Sequence, residues 1–231
     1  MFKKLGYKTV LVLYRYMHEL ILFLQEKCAL THNYQPNPFG MQQGGRDTHD
    51  RFDKIIASID LPHSMVDLGC NRGFFVLKTA QRGCFSIGVD NDKSEIIAAR
   101  STAEKHNISK ALFMCHNIDS DFVKLLPQAD LYFCTSIFHH WVRIYGANDA
   151  MQMMQEIAYK TTRYLIFETG QYDEQTTSWY SQLSFMGEDA DLWIKQFLAS
   201  LGFDEIVPLG QYETTVGHVK RTMYLAIKLS Q

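Results

Sequence analysis

Residues Met65 to Ala80 read MVDLGCNRGFFVLKTA, and this stretch decides the fold. Its opening residues are apolar and β-branched as far as Asp67, so they predict a buried strand. A turn, Gly69-Cys-Asn-Arg-Gly73, follows, and Phe74 then opens a stretch that predicts a helix. Glycines in such a turn allow positive φ angles and a close approach of the backbone to a ligand. The order of strand, glycine turn and helix is typical of the carboxyl edge of an α/β sheet, where these folds bind ligands.

Strand and helix patterns alternate along most of the remaining chain. Strands are predicted over 64–68, 84–89, 111–115, 130–135 and 164–168, and helices over 47–59, 74–81, 94–106, 120–126 and 147–160. Ser94 is the expected N-cap of the helix that begins there. A helix over 187–201 and two strands over 203–208 and 222–229 complete the pattern. The alternation predicts an α/β fold with a doubly wound, mostly parallel sheet and a C-terminal antiparallel hairpin.

An apolar run near the N-terminus, from Val10 to Leu24, predicts an extra amphipathic helix. Arg15, His18 and Glu19 interrupt it, so it falls short of the ~20 apolar residues that a membrane span needs. The helix is expected to pack on the domain, to pair two subunits as a homodimer, or to lie peripherally on a membrane surface. A loop rich in Pro, Gly, Asn and Gln follows, which places the boundary between an N-terminal region (1–46) and the main domain (47–231).

Composition and charge narrow the partners and the compartment. The 231 residues carry 23 basic and 25 acidic side chains, for a formal net charge of -2. A protein that grips a long phosphate backbone usually shows a basic surplus or stripe, so a nucleic-acid partner is not expected. The cysteines show no CxxC pair and no metal-ligand spacing, which predicts reduced thiols, a cytoplasmic protein and no metal site. They are Cys28, Cys70, Cys84, Cys115 and Cys134.

The spacing of the glycines distinguishes this turn from other nucleotide-binding turns. In a dinucleotide fingerprint, Asn71 and Phe74 would both be glycines, and no Gly-Lys-Ser/Thr follows as in a P-loop. The GxxxG spacing after an acidic strand end resembles motif I of class I S-adenosylmethionine-dependent methyltransferases, which have a Rossmann-like fold. A second strand ends at Asp90, about 20 residues after the turn, where a carboxylate can accept both hydroxyls of a ribose.

This resemblance implies S-adenosylmethionine as the cofactor and a set of residues that would bind it. The turn and the end of the second strand would hold the methionine moiety and the ribose, the segment after the third strand would face the adenine, and the end of the fourth strand would face the methyl group. The residues concerned are Asp67, Gly69, Cys70, Asn71, Gly73, Asp90, Asn91, Asn117, Ile118, Asp119 and Thr135.

A narrower resemblance reaches further upstream. The pattern that carries it is Tyr34-Gln35, Gly45-Arg46, Arg51 and the aromatic pair after Gly73. It is similar to the methyltransferase domains of bacterial polysaccharide chain-terminating enzymes. The resemblance implies that Tyr34 and Gln35 cover the sulfonium end of the cofactor and that Arg46 pairs with its carboxylate. The Gly-Cys-Asn-x-Gly turn also occurs in RNA 5′-phosphate methyltransferases, so both resemblances suggest a sugar or phosphate acceptor.

Two adjacent histidines, His139 and His140, follow the fourth predicted strand. Methyl transfer from a sulfonium is an in-line displacement that chiefly requires the nucleophile to be aligned within about 3 Å. A sugar hydroxyl would need a general base and a phosphate would not, so one histidine is the candidate base, and a structural role is the alternative. The side chains placed by position to contact the acceptor are Arg143, Tyr145, Gln171, Trp179 and Tyr180.

The sequence therefore predicts a methyltransferase that acts on an oxygen of a small molecule or glycan, either a sugar hydroxyl or a phosphate. Two alternatives remain open. The first is an RNA methyltransferase with the same cofactor site. The second is a catalytically silent subunit that binds the cofactor and activates a partner.

Overall fold

The computed structural model describes residues 35–40, 47–172, 174, 177–214 and 219–229. The predicted N-terminal helix, Tyr34, Arg46 and Cys28 lie outside these ranges, and the domain boundary after residue 46 stays a prediction. Within the described ranges, no helix combines the length and the apolar character needed to cross a bilayer.

Seven strands and seven α-helices make up the described chain. The helices are α1 (Thr48–Ser58), α2 (Phe74–Gln81), α3 (Lys93–Lys105), α4 (Ser120–Leu125), α5 (Phe138–Tyr145), α6 (Ala147–Lys160) and α7 (Ala190–Ser200). The strands are β1 (Ser64–Leu68), β2 (Phe85–Asp90), β3 (Ala111–Cys115), β4 (Ala129–Thr135), β5 (Thr161–Glu168), β6 (Glu205–Glu213) and β7 (Lys220–Ile227). A 3₁₀ helix spans Tyr180–Met186.

The strands form one sheet in the order β3-β2-β1-β4-β5-β7-β6. The first five strands are parallel, while β7 runs antiparallel to both β5 and β6. This confirms the doubly wound, mostly parallel sheet and the C-terminal hairpin. The connections reverse direction between β1 and β4, and the crevice at such a switch point is where α/β folds bind ligands.

Helices cover both faces of the central strands. Successive residues of a strand point to opposite faces, so Val66 and Tyr132 pack into the core on one side while Met65 and Leu131 pack into the core on the other. All four are essentially inaccessible to solvent. The near-continuous apolar runs of β1 and β4 therefore follow from burial on both faces, as parallel sheets require.

The prediction that Ser94 caps its helix is wrong. The helix starts one residue earlier, and the Asp92 carboxylate accepts hydrogen bonds from the backbone N–H groups of Ser94 (2.8 Å) and Glu95 (3.3 Å). The hydroxyl of Ser94 also donates to that carboxylate. These bonds, and the favourable position of an anion at a helix N-terminus, hold the pKa of Asp92 below its usual value.

The C-terminal third differs most from the prediction. The stretch predicted as a helix over 187–201 forms α7 only from Ala190, because Asp189 is its N-cap and Gly187 adopts a φ of 68°. The 3₁₀ helix before it and α5 after β4 were not predicted. Strand β6 runs five residues beyond the predicted end at Pro208, through a register shift between Pro208 and Gly210 that acts as a bulge.

Candidate functional site

The glycine turn is fixed to the neighbouring strand by its backbone. The N–H groups of Gly69 and Cys70 both donate to the carbonyl of Val89 in β2, at 2.8 and 3.0 Å. The N–H of Gly73 donates to the Cys70 carbonyl at 2.8 Å and closes the turn. Gly69, Asn71 and Gly73 adopt φ angles of 79°, 49° and 73°, which glycine takes freely and asparagine tolerates.

Close packing explains why the last position of the turn must be glycine. A Cβ added to Gly73 would lie 2.3 Å from the ring of Phe113 in β3. Gly88 is similarly constrained, because its added Cβ would meet the Cys70 sulfur at 2.8 Å. The turn is therefore pressed onto β2 and β3, and Cys70 contributes packing inside the cofactor turn. Burial raises the pKa of its thiol, so Cys70 is a protonated core residue.

Asp90 joins the end of β2 to the glycine turn. Its Oδ2 accepts the N–H of Asn71 at 2.8 Å, and its Oδ1 accepts the N–H of Asp92 at 2.9 Å. Each carboxylate oxygen has two acceptor sites, so both oxygens keep a site for a further donor. The side chain is half-buried at the carboxyl edge of the sheet. These free acceptor sites are compatible with the two hydroxyls of a ribose, and the predicted ribose contact stays a prediction.

Asp67 lies deeper, at the end of β1, with only 1% of its surface exposed. Burial and the nearby charge of Asp90 raise its pKa from 3.8 to about 8. Its Oδ2 has no hydrogen-bond partner among the described residues. A buried acceptor left unsatisfied costs about 1–3 kcal/mol. The site therefore offers an enclosed carboxyl group, mainly protonated at pH 7 in the free protein, that a cationic donor such as an ammonium group would satisfy and favour in its ionised form.

The segment after β3 holds the residues predicted to face the adenine. The side chain of Asn117 is exposed, Ile118 is 7% exposed, and Asp119 accepts the N–H of Phe122 at 2.9 Å as the N-cap of α4. Asp119 therefore has a structural task, which leaves Asn117 as the polar candidate and Ile118 as an apolar surface. Asn91, beside Asp90, is also exposed.

Of Tyr34, Gln35 and Arg46, the three residues predicted to cover the cofactor, Gln35 alone lies within the described ranges. It is buried, and its Oε1 accepts the N–H of Phe74 at 3.2 Å, at the start of α2. The side chain thus satisfies one of the free N–H groups at the helix N-terminus, directly after Gly73. Gln35 thus lies beside the glycine turn, in the part of the fold where the cofactor was predicted to bind. The predicted contact with the sulfonium end of the cofactor stays a prediction.

The end of β4 turns sharply into α5. Thr135, the last residue of the strand, is half-buried, and Ser136 adopts a φ of 59°. Ile137 then lies against the glycine turn, because a Cβ added to Gly69 would be 3.0 Å from its Cδ1. Through this contact the start of α5, with the two histidines, lies directly beside the cofactor turn.

The two histidines occupy different environments. His139 is 1% exposed, and its Nδ1 accepts the N–H of Gly170 at 2.9 Å. With Nδ1 accepting, the neutral ring carries its proton on Nε2 and has no ring nitrogen left to serve as a base. His140 is half-buried, and burial followed by the charges of Arg143 and Arg221 lowers its pKa. It is therefore neutral at pH 7 and retains a basic nitrogen.

Two buried ion pairs brace this side of the site, and the sequence reasoning did not predict either. Arg51 of α1 pairs with Glu168 at the end of β5, where Glu168 also accepts the Ser136 hydroxyl at 2.8 Å. Arg221 of β7 forms a bidentate pair with Glu174 at 2.6 and 2.7 Å. All four charged side chains have at most 4% of their surface exposed.

Glu174 also organises the loop after β5. It accepts the indole N–H of Trp179 at 2.9 Å and the backbone N–H of Gln171 at 3.0 Å. Trp179 in turn packs on His139, with 4.5 Å between ring centroids. The sequence does contain a signal for the Arg51–Glu168 pair, namely a charged residue next to buried apolar positions. Arg51 precedes the buried Phe52 in its helix, and Glu168 ends an apolar strand. Their pairing could not be derived, since it depends on sheet order.

The residues present fit S-adenosylmethionine. The unsatisfied Asp67 oxygen suits the ammonium of its methionine moiety, and Asp90 has acceptor sites left for ribose hydroxyls. The positive φ angles of Gly69, Asn71 and Gly73 give the turn a tight backbone at the carboxyl edge of the sheet, next to both carboxyl groups.

Comparison with known proteins supports this assignment. A family model described as a methyltransferase domain matches residues 66–161. Two curated O-antigen chain terminator bifunctional methyltransferase/kinases, both WbdD from Escherichia coli, are each 26% identical over 177 residues. The match covers 76% of this chain and 23% of each relative, so the chain spans about a quarter of their length.

Solved structures agree in fold. A structure of the bifunctional kinase-methyltransferase WbdD matches with a TM-score of 0.67 and 26% identity, and covers 79% of this chain and 40% of that one. Magnesium protoporphyrin IX methyltransferase from Synechocystis PCC 6803, solved with bound S-adenosylhomocysteine (SAH), matches with a TM-score of 0.60 and 15% identity. It covers 92% of this chain and 99% of that one, which shows a shared fold. Residues 66–161 therefore carry a methyltransferase domain homologous to that of the bifunctional methyltransferase/kinases, and S-adenosylmethionine is the cofactor.

Proposed function

We propose that the chain methylates an oxygen of a small molecule or glycan, either a sugar hydroxyl or a phosphate, by in-line displacement. The observation that carries this proposal is the neutral, half-buried His140 on a helix whose first turn contacts the cofactor turn through Ile137 and Gly69. A basic nitrogen beside a methyl donor suits an acceptor that loses a proton on methylation.

The residues of the site divide into three tasks. Asp67 and Asp90 hold the ammonium and the ribose, while the glycine turn, fixed to β2 by its backbone, sets the position of the cofactor between them. When bound, S-adenosylmethionine supplies a methyl group attached to a positively charged sulfur. The neutral thioether formed on transfer is a good leaving group. His140 accepts the proton of a hydroxyl acceptor, and His139 and Trp179 fix the wall behind it. A phosphate acceptor would need alignment alone, because its oxygen is already anionic at neutral pH.

The relatives favour a glycan acceptor over the alternatives. The name of the curated relatives describes O-antigen chain terminators with methyltransferase and kinase activities. An RNA acceptor is disfavoured by the near-balanced charge of 23 basic and 25 acidic residues. A silent subunit would need only the cofactor site, whereas an enzyme also needs the half-buried His140 at the start of α5, so loss of transfer in His140→Gln with cofactor binding retained would favour turnover.

The N-terminal segment supports two further proposals for a cytoplasmic enzyme. The run from Val10 to Leu24, broken by Arg15 and Glu19, would pair two subunits or lie on a membrane surface. Analytical ultracentrifugation and vesicle flotation of the full chain distinguish these outcomes. A dimer in solution supports the first, and flotation with anionic vesicles supports the second.

An acceptor screen tests the proposed activity. The purified chain is incubated with S-adenosylmethionine carrying a labelled methyl group and with matched saccharides that either carry or lack a terminal phosphate. We expect label in at least one saccharide and equimolar S-adenosylhomocysteine, and about tenfold less label with Asp90→Asn when S-adenosylmethionine is limiting. Transfer to RNA but to no saccharide would support the RNA alternative. Cofactor binding without transfer to any acceptor would support a silent subunit.

A further inference from the structure

A cleft of about 380 Å³ opens where the loop after β5 leaves the carboxyl edge of the sheet. It lies between the loop after β5, which provides Gln171 and Tyr172, and the start of α7, which provides Glu188, Asp189 and Asp191. Gln171 directly follows Gly170, whose N–H donates to His139. The cleft is therefore next to the position proposed for the methyl acceptor.

Gln171 is a buried amide without a partner in the described part of the chain. The residue is 9% exposed, and its backbone N–H is fixed by Glu174. Its side-chain amide makes no hydrogen bond to any described residue, although it lines the cleft. An amide carries two donors and an acceptor, and buried polar groups of this kind are normally satisfied. A ligand with hydroxyl groups in the cleft would satisfy it.

The opposite wall is acidic and already engages hydroxyl groups. Asp191 accepts the hydroxyl of Tyr224 at 2.7 Å and that of Thr222 at 3.2 Å. Asp189 accepts the N–H of Leu192 at 2.8 Å as the cap of α7, and Glu188 is exposed. No basic side chain is among the described residues that line the cleft. The electrostatic potential in the cleft is therefore negative and disfavours an anionic ligand. The carboxylate oxygens of the wall can accept further hydrogen bonds, which favours a ligand with hydroxyl donors.

An aromatic ring lies at the edge of the cleft. Tyr172 is 39% exposed and stacks on Tyr180, with 6.3 Å between centroids and 26° between the ring planes. A tyrosine held in this way presents a flat apolar face to a ligand. A metal ion is a poorer occupant, because the described residues contain no group of three side chains placed to bind one.

We infer that this cleft binds an uncharged sugar ring of the methyl acceptor, with its hydroxyls on Gln171 and the acidic wall and its apolar face on Tyr172. The inference rests on the proposed function. It adds that the part of the acceptor next to the methylated oxygen is neutral and rich in hydroxyls. A charged group, if the acceptor carries one, would lie on the side of Arg143, which is exposed near His140.

Binding to immobilised saccharides tests the inference without requiring turnover. The full chain, saturated with S-adenosylhomocysteine, is applied to a surface that displays uncharged, phosphorylated and carboxylated oligosaccharides. We expect capture by uncharged oligosaccharides. Gln171→Ala should weaken capture on the order of fivefold, the loss of one hydrogen bond. Glu188→Gln should also weaken it, whereas Glu156→Gln, an exposed carboxylate on α6 outside the cleft, should not.

Calorimetry with S-adenosylhomocysteine on the same samples distinguishes a failure of the proposed methyltransferase function from a failure of the sugar-binding inference. If no sample binds it, the proposed function fails. If the chain binds it but captures no uncharged oligosaccharide, or if Gln171→Ala is captured as well as the unmodified chain, the inference alone is wrong. Gln171→Met, which keeps the side-chain length, replaces Gln171→Ala if the latter does not fold.

Discussion

Asp67 combines a structural cost with a binding function. Its carboxyl group is enclosed at the end of β1, and its pKa of about 8 lies above the unfolded value of 3.8. A group whose pKa is raised by folding contributes stability that is complete below the unfolded pKa and is lost as the pH rises through the folded pKa. Without ligand, the domain should therefore become less stable as the pH rises from about 4 to 8.

Replacing Asp67 with asparagine should separate stability from binding. Asp67→Asn keeps the shape of the side chain and removes the buried charge, so the free protein should unfold at a higher temperature at pH 8. A gain of ~1 kcal/mol corresponds to about 2–4 °C in a domain of this size. Affinity for S-adenosylmethionine should fall, because the ammonium loses its carboxylate. Thermal unfolding and calorimetry measure the two effects, and an unchanged affinity would show that Asp67 is not a ligand.

The two histidines should respond differently to substitution. His139→Ala removes a buried ring that accepts the Gly170 N–H, and should destabilise the domain by about 2–3 kcal/mol. His140→Gln should leave stability nearly unchanged and, with a hydroxyl acceptor, should lower kcat by ~10²–10⁴-fold. Urea unfolding and steady-state kinetics provide the comparison. With a phosphate acceptor His140→Gln should have little effect, and loss of folding in His140→Gln would contradict the assignment.

The pH dependence of the rate should also identify His140. Because its pKa is lowered, the neutral form persists to a more acidic pH than for an ordinary histidine, and kcat/KM should fall only below about pH 6.5. Arg143→Gln removes one of the charges that lower this pKa, so the acid limb of the profile should move to higher pH. The shift should be larger at low salt, since Arg143 is exposed. If Arg143→Gln left the pH midpoint of the acid limb unchanged, the acid limb would report the titration of a group other than His140.

At the scale of elements, the loop after β5 is held by β7 through the Arg221–Glu174 pair. Removing one partner of a buried pair leaves the other uncompensated, so Arg221→Met should cost about 3–5 kcal/mol of unfolding free energy. The double variant Arg221→Met/Glu174→Gln should be less destabilised than the sum of the two single variants. Urea unfolding of the unmodified chain, the two single variants and the double variant provides the double-mutant cycle. Additive effects would show that the pair is not energetically coupled.

The elements that could be predicted from the sequence are those with a local signal. Strand β1, the turn and α2 combine a hydrophobic run, positive-φ glycines and a helix start, and α2 spans the predicted residues. Helix α5 was missed because it begins directly after β4 at a Ser136 with positive φ, where no cap residue marks a start. The extension of β6 depends on its pairing with β7 across the bulge, which local sequence cannot reveal.

At the scale of the molecule, sheet order brings distant residues to one edge. Asp67 and Asp90 lie at the carboxyl ends of neighbouring strands, while Ser136 directly follows β4 and Glu168 ends β5 on the other side of the switch point. The closeness of the turn and Asp90 was predictable because they form one continuous motif plus the next strand end, and their contacts with the cofactor stay a prediction. The Arg51–Glu168 and Arg221–Glu174 pairs join residues 117 and 47 positions apart, and only the folded topology identifies them.

The central claim is that the turn from Gly69 to Gly73 and the carboxylate of Asp90 together hold S-adenosylmethionine. Titration calorimetry of the full chain tests it most directly, with Asp90→Asn as the variant and Asp60→Asn, an exposed carboxylate after α1, as the control. We predict one bound S-adenosylmethionine per chain, an affinity at least about tenfold weaker for Asp90→Asn, no change for Asp60→Asn, and no binding of NAD. Equal affinity in Asp90→Asn and the unmodified chain, or binding of NAD, would contradict the account.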